Sequence, residues 1–213
     1  DGTIAVLEAA REMNVERFIY IASSSCYGIP HQYPTPETAP IQPMYPYALT
    51  KYLGEQYAMH WHKTYDLPVV SLRLFNVFGP RQNPFSQYAA VIPLFVKALL
   101  NDQAPIIFGD GSQTRSFCYV SDLIGGIYNL MESNISGPIN LGNPIELTIE
   151  EIAKIIKEKI KPRLEIQFKK LPADDPRRRN PNIEKAKKLL NWEPEIDLSE
   201  GLDKTIDYFK SLN

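Results

Sequence analysis

A doubly wound α/β parallel sheet leading into a smaller mixed α+β half is the fold predicted by three features of the sequence. Two short, nearly continuous apolar runs, at 17–22 (RFIYIA) and 69–75, have the pattern of parallel strands buried on both faces. A long helical stretch at 47–65 separates them with short links, the strand–helix–strand order of a crossover unit. Past residue 80 the elements become shorter and mixed in type.

In chain order, residues 4–13 carry helical periodicity, with Ile4, Leu7 and Ala10 on one stripe. The 17–22 strand follows, then a loop at 28–44 rich in proline and polar residues. Pro43 and Pro46 mark the start of the 47–65 helix. After the 69–75 strand come a loop at 79–85, a helix at 88–100, a strand at 106–108 and the turn Gly109-Asp110-Gly111. A helix at 120–131 and a strand at 138–141 lead to Thr148 and Glu151, spaced as a capping box ahead of Ile149, Ile152, Ile155 and Ile156. A strand at 164–168, a charged loop at 172–182 and helices at 183–190 and 199–210 complete the chain. The junction of the two halves is where a ligand cleft is expected.

The totals exclude several classes. The 213 residues can bury a real core, and 44% hydrophobic with 23% charged residues is ordinary for a globular chain. A formal net charge of -2 gives no footprint for nucleic acid. No apolar run approaches the length of a membrane span, and Asp1-Gly2 opens the chain without a basic-then-apolar leader. Cys26 and Cys118 suit a reducing compartment and lack metal-ligand spacing. A cytoplasmic protein without a metal site is the expectation. His31, His60 and His62 form no recognisable site; His60 and His62 are expected on the surface. Trp192 is expected in the core, and Arg177-Arg178-Arg179 in a solvated loop.

Chemistry concentrates in two motifs. Tyr47 and Lys51 form a Tyr-x-x-x-Lys pattern at a helix start, a spacing that puts both side chains on one face about a turn apart. An ammonium so placed can stabilise a phenolate; bringing a tyrosine from about 10 to about 7 takes roughly 4 kcal/mol. Such pairs are common by chance, and context carries the argument. Ser23-Ser24-Ser25 directly follows the 17–22 strand, at the carboxyl end where open α/β sheets bind ligands. A serine there can hydrogen-bond a substrate hydroxyl and relay its proton.

Together, in this order and spacing, these motifs resemble the extended short-chain dehydrogenase/reductase family of NAD-dependent nucleotide-sugar epimerases and dehydratases. Three further stretches strengthen the likeness: SLRLFNVFGPR from Ser71, GDGSQTRSF from Gly109, and LLNWEP from Leu189. The resemblance implies the C-terminal portion of an NAD(P)-binding Rossmann-like doubly wound sheet over 1–80. A sugar-nucleotide-binding part follows over 81–213, with segments near 115–142 returning to the sheet. It implies NAD as cofactor, a UDP-sugar as substrate, and a homodimer built on the helices at 1–14 and 47–65. It makes Tyr47 the acid and base, Lys51 the holder of the nicotinamide ribose, and Ser23 the catalytic hydroxyl, with Ser24 in the sugar pocket. Phe75 would lie along the nicotinamide and Asn76 would contact the diphosphate. Ala90 and Val91 would close over the substrate, Phe108 would border the uracil, Arg115 would pair with the diphosphate and Asp175 would meet the ribose.

Related dehydratases and UDP-glucuronate decarboxylases carry an acid just after the catalytic serine or threonine. Here Ser24 and Ser25 stand there, so 4-epimerisation leads. GSQTRSFCYVSD and Asp174-Asp175-Pro176 look more like the decarboxylases and keep that reaction as the alternative, beside a non-catalytic sugar-nucleotide-binding fragment and a reductase. The family's Gly-x-x-Gly-x-x-Gly turn does not occur in these residues, and roughly the first third of the expected layout is absent. NAD binding by this chain alone is accordingly expected to be poor, and the 17–22 strand to be an apolar edge.

Overall fold

The computed structural model describes residues 1–83, 90–170 and 177–212. Helix α1 (Gly2–Glu12) leads into strand β1 (Phe18–Ile21), a one-turn 3-10 helix at Ser24–Tyr27, helix α2 (Pro46–Tyr65) and strands β2 (Val69–Leu74) and β3 (Val77–Phe78). Then come α3 (Val91–Leu100), β4 (Ile106–Phe108), β5 (Thr114–Ser116), β6 (Cys118–Tyr119), α4 (Val120–Met131) and β7 (Gly137–Leu141). The last elements are β8 (Glu146–Thr148), α5 (Ile149–Ile160), β9 (Gln167–Lys169), β10 (Arg178–Arg179), α6 (Glu184–Leu190) and α7 (Leu198–Lys210).

The sheet that organises the first half is parallel, in the order β1-β2-β7, with Phe18 opposite Val69 and Val70 opposite Gly137. Side chains of β2 alternate between its faces. Val69 packs with Phe18 and Tyr20 against Leu7, Ala10 and Ala58 of α1 and α2. Val70 and Leu72 pack with Ile139 and Leu141 against Leu123 and Leu130 of α4 and Ala186 and Leu190 of α6. Helices therefore cover both faces, as the apolar runs predicted. Burying each such aliphatic side chain contributes about 1.5–3 kcal/mol. A separate core joins α3, α5 and α7 through Phe95, Leu99, Ile152, Ile156, Leu202 and Phe209.

Local signals explain the boundaries. Pro46 occupies the first turn of α2, where its missing N–H costs nothing, and Asp66 ends the helix in the left-handed region at φ 54°. Thr148 and Glu151 form the capping box of α5. Trp192 is core, its indole N–H donating to the Asp122 carbonyl at 2.8 Å. His60 is exposed, but His62 is half-buried with Nδ1 2.8 Å from the Leu67 carbonyl.

Four expectations change. The 164–168 strand begins only at Gln167, because Leu164 N–H turns back to the Lys161 carbonyl. The helix expected at 88–100 is seen from Val91, with Ala90 extended at its N-cap; residues 84–89 lie outside the described residues. The charged 172–182 loop contains β10, paired with β5 through Arg178–Thr114 and Arg179–Arg115. Of the segment at 115–142, β7 hydrogen-bonds into the main sheet, whereas β5 lies between β10 and β8, and β6 is held on β3 by Cys118 N–H to the Asn76 carbonyl.

One buried ion pair joins helix to sheet. The side chains of Arg73 on β2 and Glu55 on α2 are 5% and 2% exposed, with Nη2 to Oε1 at 2.5 Å and Nε to Oε2 at 3.0 Å. Ser71 Oγ donates to the same carboxylate at 2.8 Å. Burial alone would lower the Arg73 pKa; the bonds to Glu55 raise it above the ordinary arginine value instead. Removing one member of such a pair leaves an uncompensated charge, so Arg73→Met should cost about 3–5 kcal/mol in urea unfolding, and Glu55→Leu/Arg73→Met clearly less. A double variant as unstable as the sum of the two singles would contradict this account.

Candidate active site

Three contacts set the rotation of α2 against the carboxyl end of β1. Lys51 Nζ donates to the carbonyl of Ile21, the last residue of β1, at 2.8 Å. The Tyr20 ring lies 6.0 Å from that nitrogen. Gly54, one turn on, has the Tyr20 hydroxyl where a side chain would stand: an added Cβ would meet it at 1.9 Å. Glu55 supplies the third contact through Arg73. With α2 so fixed, Tyr47 and Lys51 share a helix face, and Tyr47 is 40% exposed. Burial lowers the Lys51 ammonium below the ordinary lysine value, and burial followed by the Glu55 carboxylate raises the Tyr20 phenol.

The serine turn follows at once. Ser23 is extended at the N-cap of the 3-10 helix, its Oγ accepting from Ser25 N–H at 3.2 Å and from the Ser25 hydroxyl at 2.9 Å. Those two bonds fill both acceptor sites of the Ser23 oxygen and leave its own O–H to donate. Ser24 is buried. Beneath them Cys26 and Tyr27 pack with Phe75, the Tyr27 and Phe75 rings 6.2 Å apart. Burial pushes the Cys26 thiol up to about 12, which makes it inert.

The remaining expected residues fall into two groups. Asn76 follows β2 and its side-chain amide donates to the Ser116 carbonyl at 3.0 Å, tying the first half to β5. Arg115 is buried on β5, with Nη1 2.8 Å from the Thr114 carbonyl. Ala90 and Val91 start α3, and Phe108 ends β4 with half its surface exposed, its carbonyl taken by Gln113. Asp175 lies outside the described residues. Serine turn, Tyr47, Lys51 and Phe75 thus gather at one end of the main sheet, and Asn76 ties that end to Ser116, the neighbour of Arg115 on β5. No direct contact joins Phe108 to that set among the described bonds.

Sequence reasoning overlooked several residues here. Arg179 reaches the Tyr45 hydroxyl at 3.2 Å, bringing β10 to the start of α2. Arg178, although exposed, is bonded to Glu146 and stacks on Tyr33 at 4.8 Å. Burial and the Arg178 bond act in opposite directions on Glu146, and the bond prevails, holding its carboxyl below the usual range. The signal for Arg73 was one arginine inside the otherwise apolar strand VVSLRLF. Two cavities, of about 480 and 300 Å³, lie by α4, α6 and the 191–198 segment, on the face of the sheet opposite α2. Among the described residues no cluster of metal ligands occurs, and no helix is long and apolar enough to cross a membrane.

The NAD dependent epimerase/dehydratase family matches residues 1–142. A putative UDP-glucose 4-epimerase of Methanocaldococcus jannaschii is 39% identical, with 100% of this chain and 69% of that protein covered. UDP-glucuronic acid decarboxylase 1 of Danio rerio is 42% identical over 98% of this chain and 50% of that protein. The solved UDP-glucuronic acid 4-epimerase of Bacillus cereus, in complex with UDP-glucuronic acid and NAD, superposes with a TM-score of 0.91 at 34% identity, over 99% of this chain and 67% of that one. The chain spans about half the length of the decarboxylases it matches.

The close approach at Gly54 yields a test. Alanine is the better helix former by about 1 kcal/mol, yet Gly54→Ala should destabilise the chain by about 1–3 kcal/mol through overpacking on Tyr20. Thermal or urea unfolding decides; a stabilised alanine variant would show that α2 does not depend on that contact.

Proposed function

This chain belongs to the NAD dependent epimerase/dehydratase family, and from that membership we propose that it carries the proton-transfer machinery of an NAD-dependent UDP-sugar 4-epimerase. The observation that carries the reading is the Lys51 ammonium held at the end of β1, directly before the serine turn and one helical turn from Tyr47.

The residues present suit the cofactor: an open phenol and an ammonium on one helix face at the carboxyl edge of a parallel sheet. Tyr47 and Lys51 would hold the nicotinamide ribose, with Phe75 behind the ring. Bound NAD supplies the acceptor, and then the donor, of the hydride at sugar C4. Tyr47 as phenolate takes the proton of the 4-hydroxyl, Lys51 stabilises the phenolate, and the Ser23 O–H donates to the sugar oxygen. The 4-keto sugar turns about its diphosphate, anchored by Asn76 and Arg115, with Ala90, Val91 and Phe108 closing on sugar and base and Asp175 on the ribose. Tyr47 then returns the proton. We place the boundary between the cofactor-binding and sugar-nucleotide-binding parts near residue 80.

The absence of a carboxylate at Ser24 and Ser25 favours epimerisation over elimination. The decarboxylase-like stretch Gly111–Asp122 supports UDP-glucuronate decarboxylation as the second reading. Incubating the chain with NAD and UDP-glucose, UDP-N-acetylglucosamine or UDP-glucuronate, with product analysis, separates them: 4-epimers support the first, UDP-xylose with CO2 the second. Tyr47→Phe should cut turnover about 10²–10⁴-fold, the weight of a positioned general base. Undiminished turnover by that variant would sink both readings.

Homodimer formation through α1 and α2 belongs to the same proposal. Leu49, Leu53 and Tyr57 make an exposed stripe on α2, with Val6 and Met13 on α1. Leu53→Asp should convert a dimer into a monomer in light scattering; an unchanged mass would rule out this face.

A further inference from the structure

Glu55 stands one turn beyond Lys51 on α2, the i, i+4 spacing at which lysine and glutamate meet on a helix surface. Both of its carboxylate oxygens are instead turned into the core, towards Arg73 and Ser71, while Lys51 reaches the Ile21 carbonyl. Arg73 makes two further bonds, its Nη1 donating to the Tyr27 hydroxyl at 2.9 Å and the Glu37 carbonyl at 3.0 Å. Other polar groups around the pair are Tyr20 on β1, Ser23, Ser25, Cys26 and Tyr27 on the 3-10 turn, and Thr3 on α1, which bonds to Tyr20. Glu8 and Arg11 of α1 satisfy each other at 2.7 Å.

We propose that Arg73 is a positioning residue: by holding Glu55 in the core it keeps that carboxylate off the Lys51 ammonium, whose charge is left to act on the Tyr47 phenol. This rests on Tyr47 and Lys51 being the proton-transfer pair. Without Arg73 the Glu55 carboxylate either takes up a proton or turns to another cation, and at the alkaline pH where tyrosine titrates the nearest on its helix is Lys51, one turn away. Captured by Glu55, Lys51 no longer favours the phenolate, and the Tyr47 pKa rises.

The test needs no turnover. The 213-residue chain labelled with [13C-ζ]tyrosine is titrated by NMR, the Tyr47 resonance being assigned with Tyr47→Phe. Arg73→Met should shift the Tyr47 titration to higher pH than in the native chain. Adding Glu55→Gln to Arg73→Met should bring it back towards the native value, because no carboxylate remains to capture Lys51. Should Arg73→Met fail to fold, Arg73→Gln, which keeps a donor in the core, is expected to give the same rise and the same return. An unchanged Tyr47 pKa in the single variant, or an equal rise in single and double, overturns the proposal and leaves Arg73 a purely structural clamp. Failure of the native chain to bind any UDP-sugar would instead remove the functional reading and leave the titration result standing.

Discussion

Taking the Glu55 carboxylate out of water costs several kcal/mol, and only a well-made partner returns it. The fold meets that demand with Arg73, whose two bonds to Glu55 admit one placement of α2 on β2. The same guanidinium reaches Tyr27, whose hydroxyl donates to Asn140 Oδ1 on β7 at 2.8 Å. Asn140 in turn donates to the carbonyls of Thr35 and Asn182, and its backbone N–H to the Glu37 carboxylate. A single buried cation therefore ties together helix, central strand, neighbouring strand, serine turn and the 28–44 loop. Such a network specifies position more sharply than apolar packing, since each unmade bond leaves a costly buried group.

The chemistry of the candidate site follows from that placement. A helix turns 100° per residue, so fixing Glu55 inward also fixes Lys51 and Tyr47, one and two turns earlier on the same side. The Gly54–Tyr20 approach removes the remaining freedom by letting α2 sit directly on the ring. The second half of the chain is attached to this frame by polar bonds at its rim, Asn76 to Ser116 and Arg179 to Tyr45. Those bonds run from the residues around Tyr47 to the strand bearing Arg115, so one end of the main sheet and the basic strand pair move as neighbours.

Much of this was legible in the sequence because it depends on local pattern. Apolar runs identified β1, β2 and β7, proline placed the start of α2, and Thr148 with Glu151 located α5 within a residue. The Tyr47–Lys51 pair and the serine turn stood out through their order along the chain and their place after a strand, not through spacing alone. Strands such as β3, β6 and β10 were not, since two residues carry no periodicity and pair only because distant chain segments meet. The Glu55–Arg73 bond, 18 residues apart in sequence, was invisible for the same reason, although an arginine amid VVSLRLF was its trace. The packing of Phe75 against Tyr27, 48 residues away in sequence, was invisible in the same way.

The composition of the serine turn is tied to the same buried cation. Ser25 is 4% exposed and donates to Ser23 Oγ, a bond that an ionised carboxylate at that position could not make. An acid at 24 or 25 would enter the interior beside Cys26 and Tyr27, where the nearest buried cation, Arg73, already has its donors on Glu55, Tyr27 and the Glu37 carbonyl. An unpaired carboxylate there would be held protonated or would break the clamp on α2. A turn made of hydroxyls avoids that conflict. A second acid in this turn would therefore compete with Glu55 for the one buried guanidinium, so the network that fixes α2 also constrains which side chains the turn can carry.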